Sequence, residues 1–388
     1  MPPLPPPALL TRAEIDLGAL RRNVRRLAAH VAPAHLMGIV KADAYGHGAH
    51  PVAQAMAAEG LTWFAVARAA EGIALREAGL AGRVLVLGAP LPGDLDAHAA
   101  HGLDLSVTSE AVAEAAIAWA SATAPAGALR VHVKADTGMH RLGLSPDAVP
   151  GVLERLYATE GIEVVGLLTH FATADEAASS FADTQASRFD SLLHALERAG
   201  VPVPPVVHVA NSGAATLHPR KAVPTGAAAL ARVGGLVYGV PSSPDLARVA
   251  ERLALEPVMR LVARVVHIHT VAAGETVSYG QTWTAAAPTR IATVAVGYGD
   301  GLPRALSNVG VAAIAGHRYP IAGRVCMDLT MLDLGAPDGP GRTVQVGDEA
   351  VFFGPDGPSA LDVATCIGTI SYELTTGLTE RVPRVLVG

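Results

Sequence analysis

Lys41 is the residue whose type and position most directly indicate chemistry. It follows the apolar segment Leu36–Val40, which predicts a buried strand. If such strands close into a barrel, as argued below, a lysine at the end of one of them lies at the barrel mouth and is partly removed from water. Burial of this kind lowers the pKa of the lysine and provides an amine nucleophile. Schiff-base chemistry requires an amine of this kind. A salt bridge at the rim is the structural alternative, and position alone does not decide between the two.

Further cations and hydrogen-bond donors stand at the ends of other apolar segments of the chain or just after them. They are Lys134, Arg141, His170, His208, Asn211, Ser212 and Arg232. This set suits an anionic ligand. Asn211-Ser212-Gly213 follows the seventh of the apolar segments listed below, and Gly234-Gly235 follows the eighth. Glycines at these positions let backbone N–H groups approach a phosphate closely. We therefore expect a phosphorylated cofactor.

Short apolar segments alternate with helical patterns over the first two-thirds of the chain. The predicted strands are Leu36–Val40, Trp63–Ala67, Val84–Leu87, Leu103–Val107, Val131–Lys134, Val164–Leu168, Val206–Val209 and Leu230–Val233. Eight strand–helix units over about 230 residues are the expected size of a closed (β/α)₈ barrel. The predicted fold class is therefore α/β, with an N-terminal TIM-type barrel.

The sequence pattern changes near residue 246. Beyond it, segments rich in β-branched residues are separated by glycines and prolines. They predict the strands Leu261–Val271, Thr276–Tyr279, Arg290–Val296, Tyr319–Ala322 and Asp348–Phe353. This pattern is typical of a second, mostly-β domain. We expect a Pro-rich tail over 1–13, the barrel over 14–245 and the β domain over 246–388.

Composition excludes several classes of protein. The 388 residues are 50% hydrophobic and 16% charged, which excludes a disordered chain. The net charge of −6 without a basic block disfavours nucleic acid as a partner. Two cysteines suit a reducing compartment, and neither a signal peptide nor a membrane-spanning segment is visible. We expect a soluble cytoplasmic protein.

Several motifs, in this order, resemble those of the alanine racemases. The first is Lys41–Gly48, with the sequence KADAYGHG, which resembles the cofactor-lysine signature of that family. The others are Lys134–Gly143, His208–Ser212, Arg232–Gly235, Val277–Gly280, Gly297–Gly301, Cys326–Asp328, Ile370–Glu373 and Arg381–Arg384. The resemblance extends from about Ile15 to Val387, and the joint order and spacing of the motifs make it specific.

The resemblance implies a cofactor and a pair of bases. The lysine matching Lys41 carries pyridoxal 5′-phosphate and is a base on one face of the substrate α-carbon. The tyrosine matching Tyr279 is the base on the opposite face, because racemisation needs one group to remove a proton and another to return one. In the family this tyrosine reaches the barrel of the other subunit, which implies a homodimer with composite sites. We expect interconversion of L- and D-alanine, supplying D-alanine for peptidoglycan.

The resemblance also assigns roles to three other cations. Arg232 would face the pyridine nitrogen and, because arginine keeps its proton, would leave that nitrogen unprotonated. Arg141 would lie near the phenolic oxygen of the cofactor and the substrate carboxylate. Lys134 matches a lysine that is often carbamylated, a change that turns a buried cation beside another cation into an anion.

The other expected site residues follow from the same resemblance. Those expected at the cofactor phosphate are Tyr45, Ser212, Gly234, Gly235 and Tyr372. Those expected elsewhere around the cofactor are His170, His208 and Asn211. Those expected near the substrate in the β domain are Tyr298, Cys326, Met327 and Asp328. No metal site is expected.

Other functions fit parts of the sequence. Serine and broad-specificity racemases share nearly all these motifs. Fold-related amino-acid decarboxylases generally use a cysteine as the opposite acid and an acidic partner for the pyridine nitrogen, so Tyr279 and Arg232 argue against them. Non-catalytic cofactor-binding relatives lack the β domain. A metal hydrolase would need more than the pair in His267-Ile268-His269, because no His-Glu-x-x-His motif is present.

Overall fold

The chain folds into two compact units. The structure is a computed structural model that describes residues 9–123, 129–218 and 228–388. One unit is Leu20–Glu256, and the other combines Met1–Ala19 with Pro257–Gly388. The proline-rich segment 2–7, expected to be a tail, lies outside the described residues. No helix of the described ranges is long and apolar enough to cross a membrane.

The unit Leu20–Glu256 contains a closed barrel of parallel strands, numbered after β1 (Thr11–Asp16) of the other unit. In chain order they are β2 (His35–Ile39), β3 (Trp63–Val66), β4 (Arg83–Val86), β5 (Asp104–Val107), β6 (Leu129–Lys134), β7 (Ile162–Leu168), β8 (Val206–His208) and β9 (Ala228–Val233). The barrel closes where β2 pairs with β9, with Met37 opposite Arg232. The predicted (β/α)₈ fold is therefore confirmed, and each of its predicted strands overlaps an observed one.

Helices connect these strands. They are α1 (Leu17–Val31), α2 (Lys41–Gly46), α3 (Ala49–Ala58), α4 (Ala69–Glu77), α5 (Leu95–Ala100), α6 (Glu110–Thr123), α7 (Val149–Tyr157), α8 (Phe181–Ala199), α9 (Ser212–Leu217) and α10 (Pro244–Arg252). The barrel strands are buried on both faces, which is why they have nearly continuous apolar sequences. Their core includes Met37, Ile39, Ala65, Leu85 and Leu230.

The second unit is mostly strand, as predicted. Its later strands are β10 (Met259–Val271), β11 (Thr289–Val294), β12 (Val311–Ile314), β13 (His317–Pro320), β14 (Thr330–Gly335), β15 (Glu349–Phe353) and β16 (Arg384–Val387). The sheet order is β13-β12-β15-β10-β1-β16, and β11 joins β10 to β14. Two short helices, α11 (Ala360–Cys366) and α12 (Ser371–Thr376), complete it.

The N-terminal segment lies in a different unit from the one we expected. Residues 11–13 were expected in a tail and 14–16 in the barrel, but β1 pairs antiparallel with β10 and parallel with β16. Ala13 and Ile15 are fully buried there. The other boundary falls at Glu256 rather than near 246, because α10 (Pro244–Arg252) is still part of the barrel unit.

The predicted strand Thr276–Tyr279 was wrong. Thr276 forms only an isolated bridge with Thr284, and Tyr279 begins a 3₁₀ turn that ends at Gln281. Ser278 and Gly280 have φ values of 69° and 73°, which lie outside the extended region. The β-branched residues at 276 and 277 gave the segment its strand-like sequence, but the positive φ values turn the chain away from the sheet.

Candidate active site

Lys41 stands at the carboxyl end of the first barrel strand, at the start of a left-handed turn. Ala42, Asp43, Ala44 and Tyr45 have φ values of 51°, 54°, 54° and 55°. Each non-glycine residue in this conformation costs roughly 1–2 kcal/mol, so the surrounding contacts must hold the turn. Backbone strain of this kind is concentrated at functional sites, and here the strained turn directly follows the lysine.

Glu71 on α4 is one of the contacts that hold this turn. Its Oε1 accepts a hydrogen bond from Ala42 N–H at 2.6 Å, directly after the lysine. Its Oε2 accepts from the backbone N–H groups of Ala67 and Arg68 at 2.8 and 2.9 Å. The carboxylate thus ties the turn to the loop after β3, and its negative charge partly offsets the shift of the Lys41 pKa described next.

The two lysines of the rim lie in a cationic environment. Burial lowers the pKa of Lys41, and the charge of Arg141 lowers it further. Burial, followed by the charges of Arg232 and Arg141, lowers the pKa of Lys134 to about 8, although Asp136 opposes the shift. Each lysine is therefore closer to a free amine than it would be in water, which favours nucleophilic chemistry.

Arg141 and Arg232 differ in their surroundings. Arg141 is exposed and makes no hydrogen bond or ion pair with any residue in the described ranges, so its donors are available to a ligand. Arg232 is buried, and its Nη2 donates to Thr169 O at 2.7 Å. Burial lowers its pKa to about 10, which still leaves it charged at neutral pH.

The guanidinium of Arg232 also contacts two histidines. Nη2 lies 3.1 Å from His170 Nδ1, and Nη1 lies 3.3 Å from His208 Nδ1. Burial and the nearby cations place the pKa of both histidines well below the usual value, so both are neutral. All hydrogen bonds that Arg232 makes to the described residues come from Nη1 and Nη2, which leaves Nε–H for an acceptor on a ligand.

A small cradle for an anion lies where Tyr45 meets the loops after β8 and β9. Ser212 Oγ accepts a hydrogen bond from Gly234 N–H at 3.1 Å, so the Ser212 hydroxyl proton is directed elsewhere. A Cβ on Gly234 would lie 2.4 Å from the phenol oxygen of Tyr45, so only glycine admits that hydroxyl. Gly235 begins the next 3₁₀ turn. Asn211, by contrast, caps α9 through Ala214 N–H at 2.9 Å, which is a structural role.

We expect Gly234→Ala to weaken binding of a phosphorylated cofactor about 10- to 100-fold. The new methyl group displaces the Tyr45 hydroxyl, and a lost hydrogen bond to a charged group costs about 1.5–3 kcal/mol. Fluorescence titration of the apoprotein with pyridoxal phosphate measures this effect. Gly151→Ala is the matched control, because no atom lies within 4 Å of a Cβ built there. Equal affinities for the two variants would contradict the assignment.

The predicted residues of the β domain are found on turns. Tyr279 is 73% exposed, and Met327 is 52% exposed. Two backbone hydrogen bonds join the turn at Tyr298 to the segment Cys326–Asp328, from Tyr298 N–H to Cys326 O at 2.9 Å and from Gly299 N–H to Met327 O at 2.8 Å. Cys326 is half-buried.

An arginine braces these two segments. Arg381 donates to Asp328 Oδ1 at 2.7 Å and lies 3.2 Å from Asp300 Oδ1. Asp328 thus has a structural partner within its own unit. Tyr372 is half-buried in α12.

Sequence reasoning missed Glu71 and Arg381, which hold segments of the site in place, and the buried Asp104 of β5, which pairs with Arg130. Arg381 was quoted only as part of a motif. The signal for Glu71 was its place three residues after Arg68, at the start of a helix, where an acidic side chain can cap backbone donors. The signal for Asp104 was an acid within the apolar run Leu103–Val107.

The stacked pair His267 and His269, with ring centroids 5.1 Å apart, consists of two exposed residues of β10. Across the residues that the structure describes, no group of three or more potential ligands is placed to hold a metal ion.

The arrangement of the barrel rim fits pyridoxal phosphate. The cradle suits its phosphate, the Lys41 amine suits its aldehyde, and Arg232 Nε–H suits its pyridine nitrogen. An anionic cofactor would also relieve the mutual repulsion of the cations that lowers the pKa of Lys134. Fold and rim together fit the class of barrel proteins that bind a phosphorylated cofactor.

Comparison with known proteins identifies the family. The family model described as "Alanine racemase, N-terminal domain" matches residues 15–242, and "Alanine racemase, C-terminal domain" matches 258–386. This chain is 40% identical to the alanine racemase of Chlorobaculum tepidum, over 97% of this chain and 96% of that protein. It is 41% identical to that of Desulfosudis oleivorans, over 96% and 95%.

A solved structure agrees with this result. The alanine racemase from D-cycloserine-producing Streptomyces lavendulae superposes with a TM-score of 0.90 at 37% identity, covering 98% of each chain. The chain belongs to the alanine racemase family, an isomerase family that depends on pyridoxal 5′-phosphate. The resemblance identified from the motifs is thereby confirmed.

Proposed function

We propose that this protein racemises L- and D-alanine with pyridoxal 5′-phosphate and supplies D-alanine for peptidoglycan. The observation that carries the proposal is the placement of Lys41 at the rim, with its lowered pKa, beside the cradle of Tyr45, Ser212 and Gly234. The names of its relatives support the same reaction. A Bacillus anthracis relative, solved with bound L-Ala-P, has a TM-score of 0.85 at 34% identity, over 99% of this chain and 96% of that chain.

In this proposal, each residue of the site has its own role in the reaction. The bound cofactor supplies an electron-withdrawing ring that acidifies the α-proton of the amino acid. Lys41 would hold the cofactor and would move a proton on one face of the α-carbon. Tyr279 moves a proton on the other face. Arg141 binds the substrate carboxylate, and Arg232 keeps the pyridine nitrogen unprotonated because a guanidinium donates and does not accept.

The active unit in this proposal is a homodimer with composite sites. Tyr279 is 73% exposed within its own chain, so it is accessible to a partner. Other large hydrophobic side chains of the same unit are also exposed, namely Tyr298, Met327, Leu329 and Ile370. Exposed apolar groups of this kind favour an interface. The backbone of Met327 would then meet the substrate carboxylate in the partner's barrel, while Tyr298, Tyr372 and Cys326 border the entrance.

The proposed location is the cytoplasm. Cys326 and Cys366 are both free thiols in the structure, which suits a reducing compartment.

A coupled assay tests the proposal. The protein, loaded with pyridoxal phosphate, is incubated with L-alanine, and D-alanine is detected by a D-amino-acid oxidase. We expect D-alanine to accumulate until the two enantiomers are equal. L-Serine in place of L-alanine separates an alanine racemase from a serine or broad-specificity one. Carbon dioxide release from a basic amino acid without racemisation would indicate a decarboxylase instead.

Lys134 is expected to carry a carbamate. A pKa of about 8 leaves a substantial share of this amine neutral at mildly alkaline pH, and the neutral amine adds to CO₂ with release of one proton. The product is an anion beside Arg232, so attraction replaces repulsion. In ¹³C NMR with labelled bicarbonate, we expect a carbamate signal that grows as pH rises through about 8. Lys134→Ala should remove it. A spectrum without this signal, with a bare amine by intact mass, would contradict the prediction.

A further inference from the structure

A chain of four buried side chains crosses the barrel interior from β9 to β5. It begins at Arg232, whose Nη1 lies 3.3 Å from His208 Nδ1. His208 Nε2 lies 2.9 Å from His132 Nδ1, and His132 Nε2 lies 3.3 Å from Asp104 Oδ2. Asp104, His132 and His208 are fully buried, so bulk water does not compete for these hydrogen bonds.

The hydrogen bonds along these four side chains can be donated in only one direction, because the group at one end can only donate and the group at the other end can only accept. A guanidinium has only donors, so Nδ1 of His208 must accept from Arg232. His208 is neutral, because burial and neighbouring cations hold its pKa well below the usual value. Its one proton is therefore on Nε2 and is donated to Nδ1 of His132. The proton of His132 is then on Nε2 and is donated to the carboxylate of Asp104.

Asp104, the last of the four side chains, remains a hydrogen-bond acceptor. Burial alone would raise the pKa of Asp104, but hydrogen bonds from His132 and Arg130, together with the charge of Arg130, outweigh this effect and lower it. Arg130 Nε donates to Asp104 Oδ1 at 2.6 Å, and Arg83 Nη1 lies 3.3 Å from Oδ2. A Cβ on Gly166 would lie 2.2 Å from His132 Nδ1, so the glycine makes room for the imidazole.

We propose that Asp104 and His132 are positioning residues that hold His208 as the Nε2–H tautomer and so keep its Nδ1 available to Arg232. With the opposite tautomer, an N–H of His208 would face an N–H of Arg232 in a site shielded from bulk water, and the two donors would repel each other. This inference rests on the proposed function, in which Arg232 faces the pyridine nitrogen.

The tautomers can be read directly by NMR. In the holoenzyme with ¹⁵N-labelled histidine, a protonated ring nitrogen is well separated in shift from a bare one. We expect Nε2–H for both His208 and His132. In His132→Asn the side-chain oxygen can replace Nδ1 as acceptor, so His208 should keep its tautomer. In His132→Leu no acceptor remains, and His208 should show a mixture of tautomers.

Steady-state kinetics give a second readout. We expect His132→Leu to lower kcat about tenfold and to change KM less than about twofold. His132→Asn should keep most of the wild-type kcat. The reason is that the hydrogen-bonded side chains act on the cofactor through Arg232 rather than on substrate binding. His98→Leu, which removes another buried barrel histidine, is the control and should leave the His208 tautomer and the kcat/KM split unchanged.

Three results would overturn the inference. One is a proton on Nδ1 of His208 in the wild-type protein. The second is a single Nε2–H tautomer with wild-type kcat in His132→Leu, and the third is equal loss of kcat in the Asn and Leu variants. If the Leu variant does not fold, the wild-type and His132→Asn spectra still decide. The expected tautomers in a protein without racemase activity would refute the proposed function and leave the tautomer assignment standing.

Discussion

Lys41→Ala should abolish covalent attachment of pyridoxal phosphate and lower kcat for alanine racemisation at least ~10³-fold. The substitution removes both the amine that holds the cofactor and one of the two proton-transfer groups, and general acid–base catalysis alone contributes about 10²- to 10⁴-fold. Borohydride reduction followed by peptide mapping detects the attachment. The mapping is simple, because the chain contains only three lysines, Lys41, Lys134 and Lys221.

The lysine content also supplies the control for this experiment. Lys134→Ala should keep the reduced cofactor on the peptide that contains Lys41, and its circular dichroism spectrum should match that of Lys41→Ala. Reduced cofactor on Lys134 or Lys221 in the wild-type protein would contradict the assignment of Lys41. Full activity of Lys41→Ala would contradict it equally.

Tyr279→Phe should lower racemisation about 10²- to 10⁴-fold while leaving cofactor attachment intact. The phenol proton is lost and the ring is kept, so packing changes little. Because Lys41 still serves one face of the α-carbon, one enantiomer of alanine should continue to exchange its α-proton with solvent, and its configuration should be retained. Proton NMR in D₂O, run separately on each enantiomer, measures this asymmetry.

Tyr157→Phe is the matched control for the tyrosine. Tyr157 lies on α7 of the barrel, is 39% exposed and donates to Pro202 O at 3.2 Å. Its substitution should leave both racemisation and exchange unchanged. Equal loss of exchange for the two enantiomers in Tyr279→Phe would mean that the phenol is not the base for a single face.

The barrel could be predicted because its strands are buried on both faces and so have apolar sequences. A segment such as Val164–Leu168 has this local signal without any knowledge of its neighbours. No such local signal in the sequence identifies the strands that pair with β1. They lie more than 240 residues away in sequence, for example Ile15 opposite Met259, and pairing at that distance leaves no local pattern.

The candidate site could be predicted only in part, for a related reason. Lys41 and Arg232 stand at strand ends within recognisable motifs, so their place at the rim followed from strand order. The hydrogen bonds of His132 depend on the register of several barrel strands, which a single sequence does not contain. The positive φ of Ser278 likewise could not be foreseen, because serine rarely adopts it.

The most direct test of the central claim follows L-alanine in D₂O with the cofactor-loaded protein. Proton NMR measures loss of the α-proton, and circular dichroism measures loss of optical activity in the same sample. If two groups serve opposite faces of the α-carbon, exchange and loss of optical activity should proceed together until the circular dichroism signal is zero and the two enantiomers are present in equal amounts. Exchange with complete retention of the L configuration, or no exchange at all, would contradict the account.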